Sequence, residues 1–487
     1  MMRTRLASIV VVATALGCGN GSGRGDTTGV SDETTGLTAT ASASGASASD
    51  SASSESASDS ASSASDSDDP SASDSDDPSA TDSDSSDSDS TDSDDSNGNT
   101  TNASTTSDDD TKWDLGTIPD SGNNCPPGAG TGGEPEFSFL WAANSSQGTI
   151  SKIDTETVME MGRYQVRPDG AGSPSRTSVS LSGHVAVASR NGGITKFYAT
   201  EEFCEESNGM PGIQTSNSNV ALPWDQEECR AWHTPFDYNS QRPVAWAPGE
   251  WNQGTCGWED EMVWTAGRYG SNQDEVLLLD GETGVIVDMV DVPGLKSDSF
   301  GIYGAAVDSD GNFWGTGWAT GNHLIRVDRQ TMEVTVWDGP SSTGNSSHWY
   351  GMTVDVDGYV YNCASRVARF DPLTEEWTVS PELGTWAAGC MADATSIDDG
   401  GLLWLGSSGV RAINRQTFEL VHNYPTPTSY GVSIDFAGNV WAVQSNGAHR
   451  VDPETGTVTS YNGLTGAYTY SDMTGAALSA VGGQAAG

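Results

Sequence analysis

The chain has 487 residues and a formal charge of −47, from 68 acidic against 21 basic side chains. A field of that sign repels phosphate backbones and anionic lipid surfaces, which excludes nucleic acid as a partner and excludes membrane attachment through the protein surface.

The first predicted element is a signal peptide at residues 1–17. Arg3 and Arg5 precede an apolar run from Leu6 to Leu16; a run of about ten apolar residues is too short to span a bilayer. Ala15-Leu16-Gly17 directly before Cys18 resembles a bacterial lipobox. That resemblance implies cleavage before Cys18, lipidation of its thiol and amine, and a lipid anchor in the bacterial cell envelope, at the outer membrane. The lipid is then the only membrane attachment.

Residues 18–112 read as a disordered acidic linker. Positions 26–111 hold 22 Asp and Glu, no Lys or Arg, and otherwise mostly Ser, Thr, Ala and Gly. Such a chain buries too little apolar surface to offset its ordering entropy, and its like charges repel. A junction at 113–135 leads to the folded part, 136–487. Residues 112–487 keep 46 acidic and 18 basic side chains, a net charge of −28.

One sentence recurs in that part. "YGAAVDSDGNFWGTGW" begins at Tyr303, "YGMTVDVDGYVYNCAS" at Tyr350 and "YGVSIDFAGNVWAVQS" at Tyr430. Marking a unit start at Gly304, Gly351, Gly389, Gly431 and Gly475 gives spacings of 47, 38, 42 and 44 residues. Each unit alternates apolar and polar residues in short runs separated by turn dipeptides, which is antiparallel hairpin grammar. Four short strands per ~40 residues make one propeller blade. "RTSVSLSGHVAVASRNGGITKF" from Arg176 and "RPVAWAPGEW" from Arg242 open two earlier units.

Two fragments remain. Phe137 to Tyr164 supplies three strands with no first one, and Thr469 to Val481 supplies a first strand with no others. Joined, they complete a seventh blade and close the ring, which removes the exposed sheet edges. The predicted fold is an all-β, seven-bladed propeller closed by its N- and C-terminal strands. Trp314, Tyr361, Trp404 and Trp441 are read as packing between blades. Asp308, Asp310, Asp355 and Asp357 are read as turn formers.

An insertion at 203–260 interrupts the early blades. Cys204 and Cys229 flank its first part and are expected to pair; closing a loop of that length contributes about 3 kcal/mol in the chain-entropy model. Cys363 with Cys390, and Cys125 with Cys256, are the other expected disulfides of an exported chain. Within the 205–216 loop, "EESNGMPGIQTSNS" resembles a degenerate calcium loop, with Glu206 and Asn208 as candidate ligands. Trp224, Trp232, Trp246, Trp251 and Trp258 crowd the insertion. They are read as an accessory core, with a carbohydrate or peptide surface as the alternative.

Side chains that begin or precede inner strands face the rim of a propeller channel. Arg176, Tyr303, His348, Tyr350, Trp386 and Tyr430 are therefore the candidate binding residues. The ligand expected is an envelope protein, a peptide or a glycan, met by a monomer.

The repeated sentence resembles the virginiamycin B lyase family of seven-bladed propellers over residues 137–481. The resemblance implies a substrate over the central channel and, as an alternative function, a carbon–oxygen lyase that opens a cyclic depsipeptide ester with magnesium. In that family the second strand often reads "WFTE", with glutamates that help hold the metal. Here the segments are "WAAN", "AVASR", "VWTAG", "FWGTG", "VYNCA", "LWLGS" and "VWAVQ", none with a Glu at that place. Magnesium needs hard oxygen ligands, so no magnesium is expected unless other groups hold it. His348, in "SSHWYG", is the candidate base of such a lyase. His184, His323, His422 and His449 stand at turn or strand positions with no partner pattern, and no other catalytic motif is present. The leading expectation is a recognition module.

Overall fold

The computed structural model describes residues 138–482, apart from 271–272, 293–294, 296–299, 318–322, 341–348 and 394–400. The chain divides into two units, Met1–Thr101 and Asn102–Gly487, and every described residue belongs to the second. Cys18, expected to be lipidated, the acidic linker, Cys125 and His348 lie outside the described residues.

Seven antiparallel sheets form the seven blades. In chain order, six innermost strands are Pro174–Val179, Ser240–Ala247, Ile302–Val307, Gly351–Val354, Gly389–Asp393 and Gly431–Ile434. Each leads outward through three more strands. The first blade contains Phe139–Asn144, Thr149–Asp154 and Met159–Gln165. Its innermost position is filled from the C-terminus. The Tyr468 amide donates to the Ala143 carbonyl at 2.9 Å, the Trp141 amide donates to the Met473 carbonyl at 2.9 Å, and Asn144 bridges Ala467.

Closure by the two ends is therefore as expected, but its phase differs. A Cβ on Gly431 would stand 2.1 Å from the Thr469 carbonyl oxygen. Thr469, not Gly475, is the counterpart of the repeat glycine. The Tyr-Gly pair of the sentence exists because adjacent inner strands approach too closely for a side chain at that point. Past Thr474 the predicted strand is a helix instead, α1 (Ala476–Gly482). Asp472 caps it, its carboxylate accepting the Gly475 amide at 2.9 Å and the Leu478 amide at 3.1 Å. Helix α1 lies among Trp246, Val307, Val354 and Met391, at the far ends of the inner strands. It closes that end of the channel over an apolar void of about 40 Å³.

The aspartates of the sentence serve the blade interior. Asp308 accepts the Trp314 indole N–H at 2.8 Å, Asp435 that of Trp441 at 2.8 Å, and Asp355 the Tyr361 hydroxyl at 2.9 Å. The other oxygen of each carboxylate ties the hairpin, as where Asp435 takes the Ala437 and Asn439 amides. Trp141, Trp264, Trp314, Trp404 and Trp441 are all buried, and Trp264 donates to the Gly311 carbonyl of the next blade at 2.9 Å. The recurring stretch is a building block.

The span 203–260 is two separate excursions, because Arg230–Thr234 and Ser240–Ala247 within it are propeller strands. The first excursion is stapled by the expected Cys204–Cys229 disulfide, and Cys363–Cys390 joins neighbouring blades as expected. The first excursion covers the outer edge of the first blade, where the Arg163 amide donates to Ser216 Oγ at 3.0 Å. An edge strand protected in this way cannot template pairing with another chain.

Inside that loop the Glu228 carboxylate accepts the amides of Ser207, Asn208 and Gln214 at 2.6, 2.9 and 2.8 Å. Inward amide hydrogens around an anion are the reverse of a calcium cage. Glu206 is exposed and the Asn208 side-chain oxygen takes the Met210 amide at 2.9 Å. Among the described residues no group of three His, Cys, Asp or Glu side chains could hold a metal ion. Trp232 and Trp246 are buried in the largest apolar cluster, Trp224 stacks under Arg230 at 3.8 Å, and Trp251 and Trp258 pair edge-on at 5.5 Å.

The histidines also have structural places. His449 Nδ1 lies 2.7 Å from Ser460 Oγ and His422 stacks on Trp404. His184 sits against Tyr198 and Phe203, with Nδ1 accepting the Ala199 amide at 3.3 Å. Burial, with Lys196 nearby, lowers its pKa to about 3. A depressed folded pKa gives a contribution that is present above the unfolded value and lost as pH falls toward the folded one. The stability advantage of the wild type over His184→Gln should therefore shrink by about 2 kcal/mol between pH 6 and 4. Melting both proteins across that range checks it; a constant gap would mean that His184 is not held neutral.

Candidate functional site at the channel mouth

The end of the channel opposite α1 is where the inner strands begin. Each blade brings a side chain there: Arg176, Arg242, Tyr303, Tyr350, Trp386, Tyr430 and Tyr468 in turn. In three blades the strand register slips at this point, at Pro174/Arg176, at Ile302/Gly304, and opposite Thr265/Gly267 where Arg242 stands. A bulge re-aims the side chain it carries, which here turns Arg242 and Tyr303 toward the mouth.

The predicted rim residues that are described come together. The Tyr303 and Tyr350 rings lie 5.1 Å apart with their hydroxyls at 3.2 Å, and Trp386 meets Tyr350 edge-on at 6.0 Å. Tyr430 packs on Tyr468 at 5.2 Å. The Arg176 guanidinium lies between Tyr303, at 5.1 Å, and Tyr470, at 4.8 Å. The Tyr350 hydroxyl also bonds those of Tyr468 and Tyr470. Sequence reasoning missed Arg190, Arg242, Phe300, Tyr468 and Tyr470. The unit beginning "RPVAWA" has Arg242 where the unit beginning "RTSVSL" has Arg176, a parallel that points to Arg242 directly.

The electrostatics are unusual for so acidic a chain. Arg242 is 9% exposed and lies 4.6 Å from the Phe300 ring and 4.9 Å from Tyr303; Arg190 lies 4.3 Å from Tyr468. Neither they nor Arg176 has a carboxylate within ion-pair distance among the described residues. Arg176, 2% exposed, has one Nη without a hydrogen-bond partner, as has the Nε of Arg242. Burial pushes Arg176 below its usual range. Burial and then the charge of Arg242 lower Arg190 to about 10. Burial beside the other tyrosines raises Tyr350, and Tyr468 is pushed up to about 12. Arginine side chains keep their charge in proteins. Cation–ring contacts worth roughly 1–2 kcal/mol each offset only part of the desolvation of three close cations.

Two cavities of about 510 Å³ each open here and share Arg190, Arg242 and Phe300 as their common wall. One is walled by Tyr303, Tyr350, Tyr430 and Tyr468; the other by Asn191, Asn239, Ser240 and the Arg268–Asp274 pair's guanidinium. Among the described residues no Asp or Glu lines either. Guanidiniums repel a divalent cation, so these residues do not fit magnesium. No residue of the Cys204–Cys229 loop lines either cavity; the rim and that part of the insertion do not form one surface.

No family model matches the chain, and no curated protein matches it. Solved structures do. Virginiamycin B lyase from Staphylococcus aureus is 15% identical, over 59% of this chain and 83% of that one, with a TM-score of 0.40. A streptogramin B lyase is 15% identical over 63% and 88%, with a TM-score of 0.45. AztD from Citrobacter koseri is 10% identical over 68% and 96%, with a TM-score of 0.40. The likeness is one of fold. Chemistry on a propeller has to be argued from the mouth itself.

Proposed function

We propose that this protein is a recognition module, held to the bacterial envelope by lipid at Cys18, that takes a small anionic ligand into the mouth of its channel. The observation that carries this reading is that Arg190 and Arg242, with Arg176 buried behind Tyr303, stand at two open cavities lined by no carboxylate among the described residues. An oxyanion placed against Arg190 and Arg242 would relieve their mutual repulsion and fill hydrogen bonds that are otherwise unmade. The net charge of −47 disfavours long polyanions, whereas within a Debye length of about 10 Å the local guanidiniums dominate. Helix α1 packs on the inner strands at the other end.

The test is thermal melting of the full chain with a panel of small organic anions and their uncharged amides. At saturation an anion that fits should raise Tm by about 5 °C, its amide should not, and Arg242→Gln should remove the shift. A panel without effect, or a shift that survives Arg242→Gln, refutes the reading. A streptogramin B antibiotic with magnesium is expected to keep its retention time, since no carboxylate among the described residues lines the mouth to hold the metal.

A further inference from the structure

Resting on the anion-binding reading above, we infer that the ligand is an acidic saccharide of one or two rings, with its oxyanion on Arg190 and Arg242 and a pyranose face against the mouth tyrosines.

Three features of the mouth point the same way. The first is the position of the cations. Arg190 and Arg242 do not sit at the bottom of a single pocket; they form the seam between two. An anion bound there has room for covalent structure on both sides. Each side, at about 510 Å³, falls within the ~300–1,000 Å³ typical of small-molecule sites. A bare phosphate or sulfate would leave both cavities unfilled.

The second feature is the aromatic wall. Tyr303, Tyr430, Tyr468 and Phe300 present ring surface to the first cavity. Tyrosine offers an apolar face for the C–H side of a sugar ring and a hydroxyl at its edge for the ring substituents. The hydroxyls of Tyr303 and Tyr468 lie 3.1 Å apart, so they are already ordered as a polar edge before anything binds.

The third feature is the rest of the lining, which is hydroxyl and amide. Ser145, Ser146, Ser173 and Ser445 surround the aromatic cavity. Ser240, Asn191 and Asn239 line the other. Ser240 is 6% exposed and its buried hydroxyl has no hydrogen-bond partner, a polar group costing roughly 1–3 kcal/mol until one arrives. An aromatic carboxylate would satisfy the cations and the rings and leave these groups unpaired. An acidic saccharide satisfies all three sets at once. A carboxylate, as in a uronic acid, and a phosphate, as in a sugar phosphate, share this chemistry.

The experiment is calorimetric titration of the full chain with glucuronate, glucose 6-phosphate, glucose, benzoate and an acetylated Asp-Tyr dipeptide. The expected result is binding of glucuronate or glucose 6-phosphate, with glucose about tenfold or more weaker, the two acids telling carboxylate from phosphate. Arg242→Gln and Arg190→Gln should each weaken that binding by about tenfold or more. Arg190 is half-buried, so its variant keeps the test valid if the deeper substitution disturbs folding. Binding of benzoate or the dipeptide with loss in both variants, and of neither saccharide acid, overturns the saccharide assignment and leaves the anion reading standing. Binding of no anion, or binding indifferent to both arginines, overturns both.

Discussion

A chain ended after Gly463 is expected to lose its cooperative unfolding transition. The removed segment carries Leu464, Tyr470, Met473 and Leu478, all buried, and burying four such side chains contributes about 6–12 kcal/mol. Whole-protein stability is of the same size, about 5–15 kcal/mol. The loss is also topological, because the segment fills the innermost position of the first blade. Without it Trp141 and Asn144 lose their hydrogen-bond partners at Met473 and Thr465, and the ring is left with two open sheet edges. Ending the chain after Gly475 removes α1 alone. That variant should still unfold cooperatively and lose about 2–4 kcal/mol, mainly from Leu478 and the opened channel floor. Near-ultraviolet circular dichroism during thermal melting separates the two. Equal behaviour of both truncations would mean that the pairing on Phe139–Asn144 does not hold the ring shut.

Replacing Asp355 by Ala should cost about 3–5 kcal/mol, the usual effect of removing one partner from a buried ion pair. Arg415 reaches Asp355 from the neighbouring blade at 2.7 Å, with side chains 8% and 1% exposed. The same carboxylate takes the Tyr361 hydroxyl at 2.9 Å and the amides of Asp357 and Tyr359 at 3.0 and 2.9 Å. Burial holds its carboxyl above the usual range even with the guanidinium beside it. The substitution therefore strips a hydrogen-bond hub and leaves Arg415 with Asp357, whose side chain is mostly in solvent. Urea unfolding is the measurement. A cost under about 1 kcal/mol would place the pair with exposed ion pairs, which contribute that little.

Architecture was legible because the propeller is written as a repeat. Alternation, the Asp-Gly-Asn turns and the Tyr-Gly starts are local features, and four such runs per unit can bury their apolar faces only against neighbouring units. Of the three pairings that chain order suggests, Cys204–Cys229 and Cys363–Cys390 are formed. What misled was the C-terminus, where Gly475 matched the spacing while Thr469 holds the place. A glycine is informative there only if the neighbouring strand is known to press on it, and that is a tertiary fact. The same holds for "AALSAVG", which is too short for its period to distinguish strand from helix.

The sequence by itself determined the seven blades, the aspartate-tied hairpins and most of the aromatic rim, because each follows from residues close together in the chain. Only the tertiary structure decided that the mouth is cationic. Arg176 and Arg242 come from the inner strands of two blades and Arg190 from a turn, and in a chain of net charge −47 nothing in composition marks them. Ring closure brings them within reach of Tyr303 and Tyr468, and burial removes the water that would otherwise screen them from one another.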